Sequence, residues 1–210
     1  MNASIQAMAP AMALALAANF GSARAWHDEF VALAKAFGGG SGCVALMFEP
    51  RRGTLVNRSG IDLAADGVPI VAVELRAGAD IDALMANIDW ASTYERYQAA
   101  VHEASEPFGA SQDELAGAVV LDVRRAGVFE QATTVVPGAR WRDPAAVADW
   151  SAALPRDASV VVYCVYGHEV GRATAMRLRA AGVNARYLRG GIAGWQAAGQ
   201  ALDIKKESSS

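Results

Sequence analysis

Of the two cysteines in the 210 residues, Cys164 is placed to act as a nucleophile. It follows the continuous apolar run Val160-Val161-Val162-Tyr163 and opens the turn Val165-Tyr166-Gly167-His168-Glu169-Val170, which feeds a helix expected to begin near Gly171. Backbone amides at a helix start point outward without intrahelical partners, and the helix dipole is positive there, so such a turn holds an anion and lowers a cysteine pKa. Arg172, one helical turn further on, is expected to add positive charge, and His168 to hydrogen-bond a substrate or to change charge near neutral pH. A thiolate in this setting can attack a sulfane sulfur and carry it as a persulfide. Cys43 lies in an apolar run and reads as strand core.

The elements that must position Cys164 alternate. Val119-Val120-Leu121-Asp122-Val123 and Val160-Val161-Val162-Tyr163 have the β-branched character of parallel strands covered on both faces. Between them Asp143-Pro144 reads as a cap and first helical residue, with Val147, Trp150 and Leu154 on one face. After the loop comes a helix with Ala173, Met176, Ala180 and Val183 on one side, ended near Gly182, and then a strand from Ala185 to Leu188. Strand, helix, strand, helix implies a parallel α/β sheet flanked by helices.

This second half resembles the rhodanese (single-domain sulfurtransferase) family. The matching residues are Leu121-Asp122-Val123-Arg124, Val136-Pro137-Gly138-Ala139, Val162-Tyr163-Cys164, Tyr187-Leu188-Arg189-Gly190-Gly191 and Gly194-Trp195. The resemblance implies that Cys164 bears a persulfide, that Val165, Tyr166, Gly167, His168, Glu169 and Val170 cradle the transferred sulfur, and that Asp122 and Arg124 are a structural pair beneath the loop. Many thiosulfate-using members carry Arg or Lys in this loop. His168 and Glu169 stand here instead, which favours a persulfide or another thiol as exchange partner over a dianion. Cysteine phosphatases of related fold need Arg six residues after the cysteine; position 170 is Val, so phosphoryl chemistry is disfavoured.

The first half reads as a small α+β segment. Residues Met8 to Ala18 form an apolar helix; no Lys or Arg precedes them, and about 11 residues are too few to span a bilayer, so neither a secretory signal nor a membrane anchor is expected. Asn19-Phe20-Gly21 ends this helix and Ser22 caps the next, on which Trp26, Phe30, Leu33 and Phe37 share a face up to Gly38-Gly39-Gly40. Strands over Val44–Phe48, Gly53–Val56 and Pro69–Leu75 suggest a short antiparallel sheet, followed by helical periodicity from Ile81 to Val101 with Leu84, Ile88 and Ala91 on one side. The segment is similar to the carboxy-terminal part of iron/manganese superoxide dismutases, through Asn19-Phe20-Gly21-Ser22, Trp26, Phe30, Phe37, Gly40-Ser41-Gly42, Val68 to Val73, Asn87-Ile88-Asp89-Trp90, Tyr94 and Tyr97.

That resemblance implies four metal ligands, three of them histidines, and none of the three has a counterpart. Glu74 stands where the ligating Asp is expected, and His27 and His102 read as exposed or capping. No metal and no other cofactor is expected, and dismutase activity is the alternative reading, with a redox-sensing interaction protein as a third. The same resemblance implies a homodimer contact through Trp26, Trp90 and Tyr94, which would serve a core equally well.

The expected organisation is a dismutase-like α+β domain over residues 1–102, a polar linker over 103–114, a rhodanese-like domain over 115–201 and a solvated tail over 202–210. A net charge of -3 leaves no footprint for nucleic acid or anionic membranes, and two unpaired cysteines fit a reducing cytoplasm. The partners expected are a small sulfur donor and a thiol acceptor.

Overall fold

The structure is a computed structural model that describes residues 8–36, 42–60, 63 and 67–205. Phe37, the glycine run 38–40, Ser41 and the tail beyond residue 205 lie outside the described residues. The chain divides into two compact units, one of Met1–Pro50 with Thr54–Ala100 and the other of Arg51–Gly53 with Val101–Ser210.

In the first unit, α1 (Pro10–Phe20) stops where Gly21 adopts φ 82°, and α2 (Ala23–Ala36) follows, with the Ser22 hydroxyl accepting from the Ala25 amide at 2.9 Å. Three strands, β1 (Gly42–Glu49), β2 (Thr54–Gly60) and β3 (Val68–Leu75), form an antiparallel sheet in the order β2-β1-β3. The expected antiparallel sheet is therefore present, with β2 longer than its apolar residues suggested, because pairing with β1 carries it through the polar run to Gly60.

The helical stretch after β3 is two helices, α3 (Ile81–Ala86) and α4 (Trp90–Ser105). Asn87 ends α3, and the Asp89 side chain accepts from the Ala91 and Ser92 amides to start α4. This break resets the helical phase. Met85, Trp90, Thr93, Tyr97 and Ala100 are buried while Ala91 is exposed, which corrects the expected Leu84, Ile88 and Ala91 face. Trp26 and Trp90 are core residues, ring centroids 5.3 Å apart and edge to face, and Trp26 donates to Asn57 Oδ1 at 2.9 Å.

The second unit is built on a five-stranded parallel sheet in the order β4-β9-β8-β5-β7, from β4 (Gly109–Ala110), β5 (Val119–Asp122), β7 (Arg140–Trp141), β8 (Val160–Tyr163) and β9 (Ala185–Leu188). The central strand β8 is buried at all four residues, as its continuous apolar composition requires. One face packs Leu121, Val160, Val162, Ala175, Leu178 and Tyr187 together; the other packs Val120, Val161, Tyr163, Leu188 and Ile192. The remaining helices are α5 (Ala126–Gln131), the single turn α6 (Val147–Trp150), α7 (Glu169–Ala180) and α8 (Gly191–Ala197). Asp143 caps a 3-10 turn ahead of α6 through the Ala145 amide, so the helix expected after Asp143-Pro144 is present only as short turns. On α7 the buried stripe runs through Ala173, Met176 and also Ala175 and Leu178, while Ala180 is exposed.

Two expected boundaries move. Residues 103–114 are ordered secondary structure: the end of α4, a 3-10 turn at Glu106–Phe108, the edge strand β4 and a second 3-10 turn at Gln112–Leu115 closed by a Ser111/Glu114 capping box. Residues 203–204 form β10, antiparallel to β6 (Thr134–Val135), and Lys205 Nζ donates to the Phe129 and Glu130 carbonyls at 2.8 Å. The described start of the tail is thus tied to the domain. Among the described residues no helix is long and apolar enough to cross a membrane.

Candidate functional site

Cys164 lies at the carboxyl end of β8, where open α/β sheets place their ligands, and the loop after it passes directly into α7. The helix begins at Glu169 with His168 as its N-cap, two residues before the expected start. The loop must therefore turn within four residues. Gly167 makes this feasible with φ 70°, in space where a Cβ would meet the Gly190 nitrogen at 2.8 Å and the Leu188 carbonyl at 2.9 Å. From the opposite side, the amides of Ile192 and Ala193 in α8 donate to the Cys164 and Val165 carbonyls at 3.0 and 2.9 Å. Gly191 permits that approach: with φ 58°, a Cβ there would lie 2.5 Å from the Cys164 carbonyl oxygen. Both glycines stood in the motifs, but their function as the floor of the loop required the fold.

The Cys164 side chain is buried, and burial is the largest influence on its thiol, pushing the pKa up from the ordinary cysteine value. The backbone amides of Gly171, Gly167 and His168 hydrogen-bond the sulfur and pull in the opposite direction, and the Glu169 carboxylate pushes up again. The net direction is upward. The expected lowering is thus corrected: the amide ring is present, but desolvation outweighs it at rest. Gly171 packs so closely that a Cβ there would lie 3.3 Å from Sγ.

The other loop residues divide by direction. Tyr166 and His168 are exposed, and their ring centroids are 5.7 Å apart. Glu169 is buried and accepts from Arg125 NH2 at 3.3 Å, so its carboxylate lies beside a guanidinium rather than open to a donor. Val165 and Val170 are half-buried wall. Arg172 does not direct its guanidinium to the sulfur. Its Nε donates to the Gly167 carbonyl at 2.8 Å and its NH1 to Ser105 Oγ and Glu106 Oε2 at 3.1 and 3.2 Å, over the Tyr187 ring at 4.2 Å. It braces the loop. Glu106, also held by Arg189 and Tyr187, has its carboxyl lowered to about 2, chiefly by the Arg189 hydrogen bond.

Asp122 and Arg124 form the pair expected below the loop. Arg124 Nε donates to the two carboxylate oxygens at 3.0 and 2.9 Å and its NH2 to Oδ2 at 2.5 Å, with both side chains buried. Tyr163, the residue before Cys164, donates its hydroxyl to Asp122 Oδ2 at 2.8 Å and accepts from the Val136 amide at 3.2 Å. Burial next to the Asp122 carboxylate pushes the Tyr163 phenol up, so it stays a donor. The network fixes the last residue of β8 and with it the start of the loop.

His102 belongs with these residues, although its sequence gave no such sign. It is half-buried in the last turn of α4, and its ring centroid is 5.8 Å from that of His168. Burial first, then Arg172 and His168, hold its pKa below the ordinary histidine value, while Glu169 and Glu106 act the other way. The polar composition around residue 102 had suggested a linker, which concealed a helix end.

Among the described residues the first unit offers no comparable assembly. Glu74, on an exposed strand position, lies 3.7 Å from Arg76, and His27 is buried beside Asp28 rather than exposed. No three His, Cys, Asp or Glu side chains come together as a metal site among the described residues. A redox-active iron or manganese needs several nitrogen and oxygen ligands at once, and the residues present do not fit one.

Residues 103–198 match the family model described as Rhodanese-like domain. The chain is also 39% identical over 107 residues to a Superoxide dismutase [Fe] from Cupriavidus metallidurans, covering 44% of this chain and 54% of that protein, and fits the dismutase-like first half. The chain thus spans about half the length of this curated relative. Among solved structures it is similar to a rhodanese-related protein from Thermoplasma volcanium (23% identity, 46% of this chain and 98% of that one, TM-score 0.42). A rhodanese-like domain protein from Staphylococcus aureus matches at 23% identity over 47% of this chain and 98% of that one, TM-score 0.39. The parallel sheet, the loop after its central strand and the family match agree: residues 103–198 are a rhodanese-like domain, of a family that supports a sulfurtransferase-type role in general.

Proposed function

We propose that the chain moves sulfane sulfur through a persulfide on Cys164. The observation that carries this reading is the convergence of the Gly167, His168 and Gly171 amides on one sulfur at the end of β8. Three fixed N–H groups on that sulfur stabilise the Cys164 thiolate, the form that attacks the donor and the form that leaves when sulfur is passed on. In the first step the Cys164 thiolate attacks the outer sulfur of R–S–SH; the S–S bond of the donor breaks, R–S⁻ leaves with the electron pair, and Cys164–S–SH remains. In the second step an acceptor thiolate attacks that outer sulfur and Cys164 leaves as thiolate. Sulfur changes carriers and no external oxidant or reductant enters. Arg172 serves as a positioning residue for the loop, and Asp122 with Arg124 as its foundation.

Because burial raises the Cys164 thiol, its thiolate fraction, and with it its reactivity toward an electrophile whose own charge stays fixed, keeps growing into the alkaline range. The test is mass spectrometry of the full chain after exposure to cysteine persulfide. The Cys164 peptide gains about 32 Da, one sulfur atom, and releases it to added thiol. A Cys164→Ser chain that still takes up and releases sulfur would overturn the assignment. Retained peroxide sensitivity at Cys164 without sulfur release would instead favour a redox sensor.

A further inference from the structure

We propose that Arg125 is a positioning residue for Cys164: its guanidinium holds the Glu169 carboxylate, which fastens the first residue of α7 to the end of β5 and offsets a negative charge beside the reacting sulfur. The inference deepens the reading of Cys164 as the nucleophile and rests on it. The two residues stand 44 apart in sequence, and Arg125 NH2 donates to Glu169 Oε1 at 3.3 Å. Glu169 is 6% exposed and the Arg125 side chain 27%, so the carboxylate is buried and its partner closes over it from the rim.

Both ends of the pair are fixed by backbone. Arg125 follows Arg124, which is anchored on Asp122, and as the N-cap of α5 its carbonyl accepts from the Val128 and Phe129 amides at 2.9 Å. Glu169 opens α7 between His168 and Gly171, both of which donate an amide to the Cys164 sulfur. A carboxylate in the first turn of a helix is favoured by the helix dipole, yet here it shares that positive end with the thiolate. Glu169 therefore steadies the helix start and opposes ionisation of the sulfur at once. Arg125 resolves this conflict, because it leaves the carboxylate where the helix needs it and counters its charge toward the sulfur.

The other charged groups around the loop are engaged with one another. Arg172 is directed to the Gly167 carbonyl, Ser105 and Glu106, and Arg189 is bound to Glu106. Asp122 and Arg124 pair beneath the loop, and α8 meets it with Ile192 and Ala193, which carry no charge. His168 and His102, with ring centroids 5.8 Å apart, are the imidazoles on this side.

The experiment alkylates the full chain with neutral iodoacetamide between about pH 8 and about pH 10, above the range in which imidazoles ordinarily titrate, and reads the Cys164 peptide by mass spectrometry. The thiolate displaces iodide from carbon, so the rate follows the ionised fraction of Cys164 and involves no sulfur transfer. Arg125→Gln is expected to slow alkylation about threefold and Glu169→Gln to speed it about threefold. Opposite signs separate a charge effect from a merely loosened loop, which moves both variants the same way. In the Glu169→Gln background, Arg125→Gln is expected to have less than half of that effect on a logarithmic scale, since no carboxylate remains to be offset. Arg125→Lys keeps the charge and is expected to stay within about twofold of the unaltered chain. Changes of the same sign in the two single variants, or an Arg125→Gln effect of equal size with and without Glu169, overturn the pairing. Should Arg125→Gln fail to fold, a Glu169→Gln chain that alkylates no faster than the unaltered one overturns it. Alkylation that changes as expected in a chain taking up no sulfur from cysteine persulfide keeps the pair and overturns the persulfide reading instead.

Discussion

The two halves of the chain each hold one cysteine whose thiol is pushed up by burial, and the difference between them shows what burial alone does not provide. Cys43, on β1, is opposed by a single amide, that of Val73, and the Glu74 carboxylate adds to the upward push. Cys164 is buried more deeply, yet three amides from a loop and a helix start converge on it. A strand spends its amides on its neighbours, whereas the end of a strand followed at once by a helix leaves several free for an anion. Strand position therefore suits Cys43 to packing, and loop position suits Cys164 to the chemistry proposed for it.

The sharpest way to break this comparison is to exchange each sulfur for oxygen. Cys164→Ser is expected to lower sulfur transfer by at least about a thousandfold, since a hydroxyl at neutral pH neither ionises nor carries sulfane sulfur. Cys43→Ser is expected to change the rate less than about twofold. Steady transfer to thiol, followed as released sulfide, decides it; comparable losses in the two variants would erase the distinction.

The foundation of the loop comes next in size. Asp122→Asn leaves Arg124 buried against a neutral amide, and uncompensated buried charges of this kind cost about 3–5 kcal/mol. Gly191→Ala places a Cβ 2.5 Å from the Cys164 carbonyl oxygen and 2.6 Å from the Gly167 nitrogen at a positive φ, for an expected loss of about 2–4 kcal/mol. Tyr163→Phe removes one buried donor to Asp122 and costs about 1–2 kcal/mol. Denaturant midpoints rank the three. If Asp122→Asn proved neutral, the network would not be what holds the end of β8.

Much of the second unit was legible because its signals are local. The runs 119–123 and 160–163 are apolar and β-branched along their length, and only a strand covered on both faces uses such a run. The position of Cys164 at the end of a strand followed from that frame and the Asp122/Arg124 pair from the resemblance, while the loop ended two residues earlier than expected. What stayed hidden depends on pairing across the sequence. Gly109-Ala110 has no strand propensity and becomes β4 because β9 offers it a free edge; Asp203-Ile204 becomes β10 in the same way against β6. Arg172 was near the cysteine in sequence, but Ser105, Glu106 and the Gly167 carbonyl offered closer partners. His102 had no neighbour at helical spacing and meets His168 only in three dimensions. In the first unit the helix-helix-sheet order was legible, and the shift of buried face after Asn87 was not, because one Asx-capped break rotates every later residue.

The smallest expected effect tests how far the brace on the loop contributes to the fold. Glu106 is solvent-facing, yet its carboxyl is lowered from 4.5 to about 2, first by the Arg189 hydrogen bond and then by that of Arg172. A carboxyl lowered in the folded state binds its proton more weakly there than in the unfolded chain. Its contribution is thus complete above the unfolded pKa and is lost as pH falls from about 4.5 toward about 2. Glu106→Gln should lower the thermal midpoint slightly at neutral pH and make it less steeply dependent on pH within that window. Solvent screening keeps the change small, because the carboxylate is exposed. Since Arg172 also holds the Gly167 carbonyl, the same variant is expected to slow sulfur loading severalfold at most, by loosening the loop while leaving the three amides on Cys164 in place. An unaltered acid limb with unaltered loading would mean that Arg172 holds the loop through Ser105 and Gly167 alone.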